Sequence, residues 1–389
     1  MPQHDRFAPA VPPVLLLTVM VFFALFPRLL LAPLLIRIGE GLGIGYREAS
    51  SFFVTASLGF VSGLLVSGFV ARRLGHFGTI LVSTAMAGAA LLAVMAVDDP
   101  AAFHLVMAVV GFANGLYPGS GVTSVAAIVA EHHRGKAIAL HESGPNLAFI
   151  LAPLVAAVLA PMLGWRSIFL LTGITSLLAA AAFSVWGERE TGHAEAPNFH
   201  NLRLFANNRV YWILVLLFGL AAAGAIGVYA VLPTFLMVHH DLTEQMVNTV
   251  VGLSRTSGFV AIFLAGALSD RFGFRPVAAA VLLFSGTMTA VIGIASGSLL
   301  IVAVFLQPLV IQSFFPIGIA AVTGITPPRA RNLGIILPIV FANFFGSGVT
   351  PRIFGFLADH NLFASGFVFL GGGIVVSTCL LRMMPRPKR

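Results

Sequence analysis

The stretch Val14–Ile36, VLLLTVMVFFALFPRLLLAPLLI, carries Arg28 as its single charge. About 20 apolar residues at 1.5 Å of rise each cover a hydrocarbon core of ~30 Å, so this run is long enough to cross a bilayer. In lipid every backbone polar group must be satisfied internally, which leaves a helix or a closed barrel. The run shows none of the alternation of a barrel strand, and neither does Val277–Ser296, so both are read as helices. A signal peptide would have a 7–15-residue apolar stretch and a small-residue cleavage site, whereas Arg37-Ile38-Gly39-Glu40 follows here. The run is therefore the first crossing.

Working outward, similar runs occur near 48–70, 78–97, 102–124, 138–160, 167–187, 210–236, 247–269, 277–296, 298–322, 332–357 and 363–383. Mean hydropathy is +0.98 and charged residues make up 9% of the chain, against roughly 25% in soluble domains, which excludes a soluble globular protein. The lone cysteine, Cys379, lies in the last apolar run, so no intramolecular disulfide can form.

Loop charge sets the orientation. With both termini cytoplasmic, that side collects Arg6, Arg72, Arg73, Arg134, Lys136, Arg189, Arg203, Arg209, Arg271, Arg275, Arg329, Arg331, Arg382, Arg386, Lys388 and Arg389, sixteen cations in all. The opposite side holds three, Arg37, Arg47 and Arg166. Cytoplasmic loops concentrate Lys and Arg, so the net charge of +8 reports topology; the cations form no stripe on a soluble face and imply no nucleic-acid partner. The expected location is a bacterial-type inner membrane, with the lipid bilayer as surroundings.

Gly187–Arg209 is the longest hydrophilic stretch. It divides the chain into an expected six-helix bundle at 1–187, a cytoplasmic linker at 188–209 and a second bundle at 210–389. The halves repeat: Gly68-Phe69-Val70-Ala71-Arg72-Arg73-Leu74-Gly75 follows the second crossing, and Gly266-Ala267-Leu268-Ser269-Asp270-Arg271-Phe272-Gly273 follows the eighth.

With twelve crossings, a central linker and the Gly-x-x-x-Asp-Arg-x-Gly loop pattern, the whole chain resembles the major facilitator superfamily. Arg28-Leu29-Leu30-Leu31-Ala32-Pro33-Leu34 and Gly164-Trp165-Arg166-Ser167-Ile168-Phe169 are also similar to family sequence. The resemblance implies an all-α fold of two pseudo-symmetric bundles, a central cavity, alternating access and a functional monomer. It implies a gating role for Gly68, Arg73, Gly75, Gly266, Asp270, Arg271 and Gly273. Three departures stand out: Arg72 replaces the usual Asp of the first loop, Ala108 stands where the fourth crossing often has Arg, and the antiporter-associated pattern of the fifth crossing is reduced to Gly144-Pro145.

Ionisable residues inside a membrane are functional candidates by default. Arg28 falls midway along the first crossing, Arg255 in the outer half of the eighth and, by linear count, Arg352 in the inner half of the eleventh. A guanidinium is a fixed charge with a fork of donors suited to carboxylate or phosphate, so three of them favour an anionic cargo. Arg255 with a cation in the eleventh crossing is similar to the oxalate/formate exchangers, and Arg255 with Arg28 to the monocarboxylate transporters. Tyr117, Asn146 and Asn343 are polar residues on crossings expected to line the cavity.

Of the fourteen carboxylates only Glu142 falls within a crossing, next to His141 and about 10 Å in from the cytoplasmic end. Either residue can accept a proton in one state and release it in another, coupling transport to a proton gradient. The alternative is a gate contact between Glu142 and a cytoplasmic-side arginine. Consecutive helical positions diverge by ~100°, so the two side chains are expected to point apart.

No phosphate loop is present, and His132-His133 lacks metal-ligand spacing, so neither a nucleotide nor a metal cofactor is expected and enzymatic activity is excluded. The resulting expectation is a secondary transporter of a small organic anion, by proton symport or exchange. The alternative is a proton-coupled efflux antiporter for drugs or metabolites, which the reduced fifth-crossing pattern disfavours.

Overall fold

The computed structural model of the chain describes residues 7–189, 205, 207–258, 268–269, 271–327 and 331–384. Every regular element among them is helical. The first crossing is α1 (Phe7–Leu29) and α2 (Leu31–Leu42), broken at Leu30. Pro33 explains the break, because its ring cannot donate to the carbonyl of Leu29 and clashes with it. After the short α3 (Tyr46–Ala49) come α4 (Ser51–Leu92), α5 (Pro100–Ile128) and α6 (Arg134–Trp186).

The 42 residues of α4 would make a rod of about 63 Å, twice the thickness of a bilayer core. Gly75, at φ 70° and ψ 173°, divides it into two crossings, and Gly164, at φ 75° and ψ 163°, does the same for α6. Only glycine adopts such angles without strain.

The seventh crossing is α7 (Arg209–Ala222), a π-helical turn at Ala223–Gly227, and α8 (Val228–His240). Next is α9 (Glu244–Ser254), which opens the eighth crossing. There follow α10 (Phe274–Ile294), α11 (Gly297–Ile311), α12 (Phe314–Ile325), α13 (Arg331–Ala342), a second π segment at Asn343–Val349, α14 (Thr350–Asp359) and α15 (Phe363–Ser377). The gap between α11 and α12 falls at Gln312, four residues before Pro316, repeating the logic of Leu30.

Nine helical stretches among the described residues are long and apolar enough to cross a membrane. Two of them are the double crossings divided at Gly75 and Gly164, and much of the eighth crossing expected at 247–269 lies outside the described residues. The fold is an all-α polytopic one.

The chain forms two compact units, Met1–Ile44 with Thr55–Pro197, and Gly45–Val54 with Asn198–Arg389. The short stretch Gly45–Val54 thus groups with the second unit, although it precedes most of the first in sequence. The proposed linker at 188–209 lies largely outside the described residues.

The first unit is held by backbone seams. Gly59 and Gly63 on α4 face Gly111 and Gly115 on α5, each pair in small-xxx-small spacing. A Cβ on Gly111 would enter the carbonyl of Ala56, one on Gly115 that of Phe60, and one on Gly63 that of Phe112. Small residues let membrane helices meet backbone to backbone, where dispersion and weak Cα–H···O contacts replace the absent hydrophobic drive.

A second seam pairs Gly88 with Gly173, each Cβ position lying within 3.0 Å of the other's carbonyl oxygen. In the second unit Gly286 on α10 and Gly371 on α15 oppose each other in the same manner. The same number of residues separates Gly88 from Gly286, Gly173 from Gly371 and Gly75 from Gly273. The halves therefore repeat a packing solution as well as a sequence pattern.

Candidate functional site

In the first unit His141 is buried, with 2% of its side chain exposed, while its neighbour Glu142 is 52% exposed. Their side chains meet nonetheless: His141 Nδ1 lies 3.1 Å from Glu142 Oε1. This corrects the expectation of divergence, which holds for the Cβ directions but not for the tips of two multi-atom side chains. Among the described residues the ion-pair contact of Glu142 is to His141, not to an arginine.

On its far side His141 Nε2 lies 2.9 Å from Tyr117 Oη, with the two rings nearly parallel. Tyr117 O–H donates to the Leu17 carbonyl at 2.9 Å, linking α5 to α1. The donor count along this chain is restrictive. A carbonyl only accepts, so the single Tyr117 proton goes to Leu17, and His141 Nε2 must donate to Tyr117. Nδ1 and Glu142 Oε1 can then approach only if a proton lies between them, on an imidazolium or on a carboxylic acid. The tautomer is assigned by this network.

The surroundings are tight. Thr18 Oγ1 donates to the carbonyls of Val14 and Leu140, and a Cβ on Gly144 would lie 2.6 Å from the Thr18 carbonyl. Gly144 therefore serves close packing of α6 on α1. Arg28 occupies the last turn of α1, where helix carbonyls favour a cation, and its guanidinium sits 4.5 Å from the centre of the Phe60 ring.

The second unit centres on the seventh crossing, the most deeply buried of the spanning stretches among the described residues. A π turn contains a surplus residue and disturbs the regular hydrogen-bond ladder. Side chains answer the carbonyls of the turn at Ala223–Gly227. Gln307 Nε2 donates to Gly224 O at 2.7 Å, with Thr289 Oγ1 at 3.3 Å, and Arg255 Nη1 donates to Ala225 O at 3.4 Å. Arg255 is buried, and its guanidinium lies 4.9 Å from the centre of the Tyr229 ring. Replacing Gln307 with leucine leaves the Gly224 carbonyl unanswered. The expected result is a loss of about 1 kcal/mol, read as a lower unfolding temperature of the purified protein.

Arg352 stands elsewhere than the linear count places it. It lies in the first turn of α14, and its Nη1 donates to the carbonyl of Arg47 in α3. Arg47 belongs to the Gly45–Val54 stretch, which groups with the second unit. Arg352 thus fastens the Gly45–Val54 stretch to α14 within the second unit, where the Arg47 guanidinium also lies 5.4 Å from the centre of the Phe356 ring.

Asn146 and Asn343 each donate an amide hydrogen to the carbonyl four residues back on their own helices, Glu142 and Ile339. In the loop pattern, Gly75 and Gly273 share positive φ, 70° and 85°, and both introduce a new crossing. Arg73 and Arg271 are exposed, Gly68 is half-buried, and Gly266 and Asp270 lie outside the described residues.

Sequence reasoning missed Asn248, which is fully buried on α9 and has no hydrogen-bond partner on either amide atom among the described residues. Its signal was spacing, since positions 248 and 255 stand seven apart and share a helix face. Asn114 on α5 is buried in the same condition. No cluster of three or more His, Cys, Asp or Glu able to hold a metal occurs among the described residues.

The family model described as Major Facilitator Superfamily matches residues 17–261 and 227–389. Solved structures with similar folds include the xylose transporter XylE from E. coli in an inward-open conformation, at 13% identity and a TM-score of 0.80, with 97% of each chain covered. A nucleoside transporter, NupG, matches at 15% identity and a TM-score of 0.76 over 96% of this chain and 100% of its own. A peptide transporter in complex with alafosfalin matches at 15% identity and 0.76 over 95% and 93%. At these identities the likeness establishes the fold, twelve crossings in two pseudo-symmetric halves. With a family model spanning nearly the whole sequence, the chain belongs to the major facilitator superfamily and is a multi-pass membrane transporter.

Proposed function

We propose that this transporter moves a small organic anion of the carboxylate class together with a proton, by alternating access. The observation that carries this reading is the chain Leu17–Tyr117–His141–Glu142, whose donor count requires one bound proton. A site that holds a proton at one end and grips α1 at the other has what proton coupling needs: a titratable pair tied to helix packing.

The anion half of the proposal rests on Arg255, with Arg28 in a supporting role. Each is buried against an aromatic ring, and each keeps its charge at any physiological pH. Arg352 is assigned to holding Gly45–Val54 instead of to the cargo. The sixteen-to-three loop asymmetry supports cytoplasmic termini in a bacterial-type inner membrane.

The test is uptake into proteoliposomes of labelled lactate, benzoate and oxalate, with and without an inward proton gradient. Gradient-driven accumulation of at least one acid is expected. Arg255→Lys keeps the charge but loses the fork and should lower uptake about tenfold, and Arg255→Ala about a hundredfold. Undiminished flux in Arg255→Ala would remove the anchor from the proposal.

A neutral, hydroxyl-rich cargo is the second reading. Asn114 and Asn248 favour it, because buried amides are suited to hydroxyl recognition. The xylose and nucleoside transporters among the similar folds point the same way. Uptake of labelled xylose or uridine in the same vesicles, with none of the acids, would select it.

A further inference from the structure

We propose that the groove between the start of α10 and the end of the last crossing binds an anionic phospholipid, independently of what the protein transports. The groove is a cavity of about 530 Å³ lined by Arg275, Ala279, Leu283, Thr378, Leu381 and Arg382 among others. Arg275 is the second residue of α10, and Arg382 lies in the 3₁₀ turn Thr378–Met383 that extends α15.

Arg275 is fixed in place. Its Nε donates to the Leu381 carbonyl and its Nη2 to the Arg382 carbonyl, both at 2.8 Å, closing the carbonyl end of the last helix. Those two bonds use two of five guanidinium hydrogens, and three remain for an anion. Arg382 is exposed beside it. Neither arginine forms an ion pair among the described residues, so two like charges share one cavity. A phosphodiester between them would relieve that repulsion and accept from the fork.

The rest of the lining identifies the ligand as a lipid. Ala279 and Leu283 form an apolar wall running inward from Arg275 along α10, and Leu381 lines the groove beside Arg382. Along α10 the wall reaches Leu283, eight residues or roughly 12 Å from Arg275. The neighbouring face is apolar and open, with Leu283 44% and Phe284 37% exposed. Charge at the helix ends and an apolar slot directed toward mid-membrane match a headgroup phosphate with one acyl chain. Zwitterionic lipids also carry phosphate, but their ammonium group would be repelled by the paired arginines.

The full-length protein in detergent would be equilibrated with equal amounts of phosphatidylglycerol and phosphatidylcholine of identical chains, and retained lipid counted by native mass spectrometry. Retention should favour phosphatidylglycerol, and Arg382→Gln should reduce the preference about fivefold, the contribution of one interfacial arginine. Ala279→Phe fills the slot while sparing both arginines, and should lower retention of the bound lipid even if Arg382→Gln folds poorly. An unchanged preference in Arg382→Gln, unchanged retention in Ala279→Phe, or no preference in the wild type would overturn the proposal. So would complete displacement by millimolar glycerol 3-phosphate, which would mark a site for soluble anions.

Discussion

Replacing Glu142 with glutamine is expected to cut gradient-driven accumulation of cargo sharply while leaving cargo-for-cargo exchange intact. Glutamine has the shape of a protonated glutamate, and its amide N–H can donate to His141 Nδ1 just as the shared proton does. The hydrogen-bond chain to Tyr117 and Leu17 would persist, but its proton could no longer leave. Coupling free energies of 1–3 kcal/mol correspond to a drop in driven uptake of about five- to 150-fold. Driven uptake and counterflow, measured on the same vesicles, separate loss of coupling from loss of folding. Tyr117→Phe provides the companion measurement, because it cuts the link to α1 while leaving the titratable pair in place. If Glu142→Gln accumulates cargo as the wild type does, the proton is carried elsewhere and the pair is structural.

The second large effect concerns a single methyl group. Gly111→Ala is expected to destabilise the first unit by about 3 kcal/mol, enough to lower both yield and unfolding temperature. The added carbon would enter the Ala56 carbonyl, which belongs to a helix backbone and cannot rotate away. Gly119, two turns further along the same helix, has open space at its Cβ position. There the same substitution should be neutral or stabilising by up to about 1 kcal/mol, since alanine is the better helix former. Thermal unfolding of the two purified variants side by side is the measurement. Equal losses would show that α5 tolerates no substitution at all, and equal indifference that the seam contributes little.

The fold was legible because the signals that define it are local. A run such as Val14–Ile36 announces a crossing by its length, and the loop arginines announce which ends lie together. Gly75 and Gly273 were visible as repeated loop glycines, and both introduce crossings with positive φ. The seams were only half legible: the spacings Gly59–Gly63 and Gly111–Gly115 mark close approach, but spacing alone does not name the partner helix.

The candidate site was read less well. His141 and Glu142 were singled out because ionisable groups are rare inside a membrane, yet their contact depends on side-chain reach and not on helical phase. Tyr117 was chosen as a cargo residue, and its place in the middle of the hydrogen-bond chain was not foreseen. Arg352 was misplaced because the direction of its crossing was overlooked: with both termini cytoplasmic an odd-numbered crossing runs outward, so a position near its end belongs to the outer half. Asn248 went unnoticed because an asparagine near the start of a crossing resembles an ordinary interfacial residue. The π turns had no signal beyond glycine, and the one at Ala223–Gly227 gives Gln307 and Arg255 their hydrogen-bond acceptors.

The glycine seams also have a mechanical meaning. Where main chain lies on main chain there are no rotamers to exchange, so such a joint cannot yield by degrees. Separating the surfaces by 0.5–1 Å already forfeits about a quarter to a half of the dispersion attraction. A pair of helices joined this way resists bending and twisting as one beam. Load applied at one end is passed to the other without being absorbed on the way, the stiffness that moving in blocks demands.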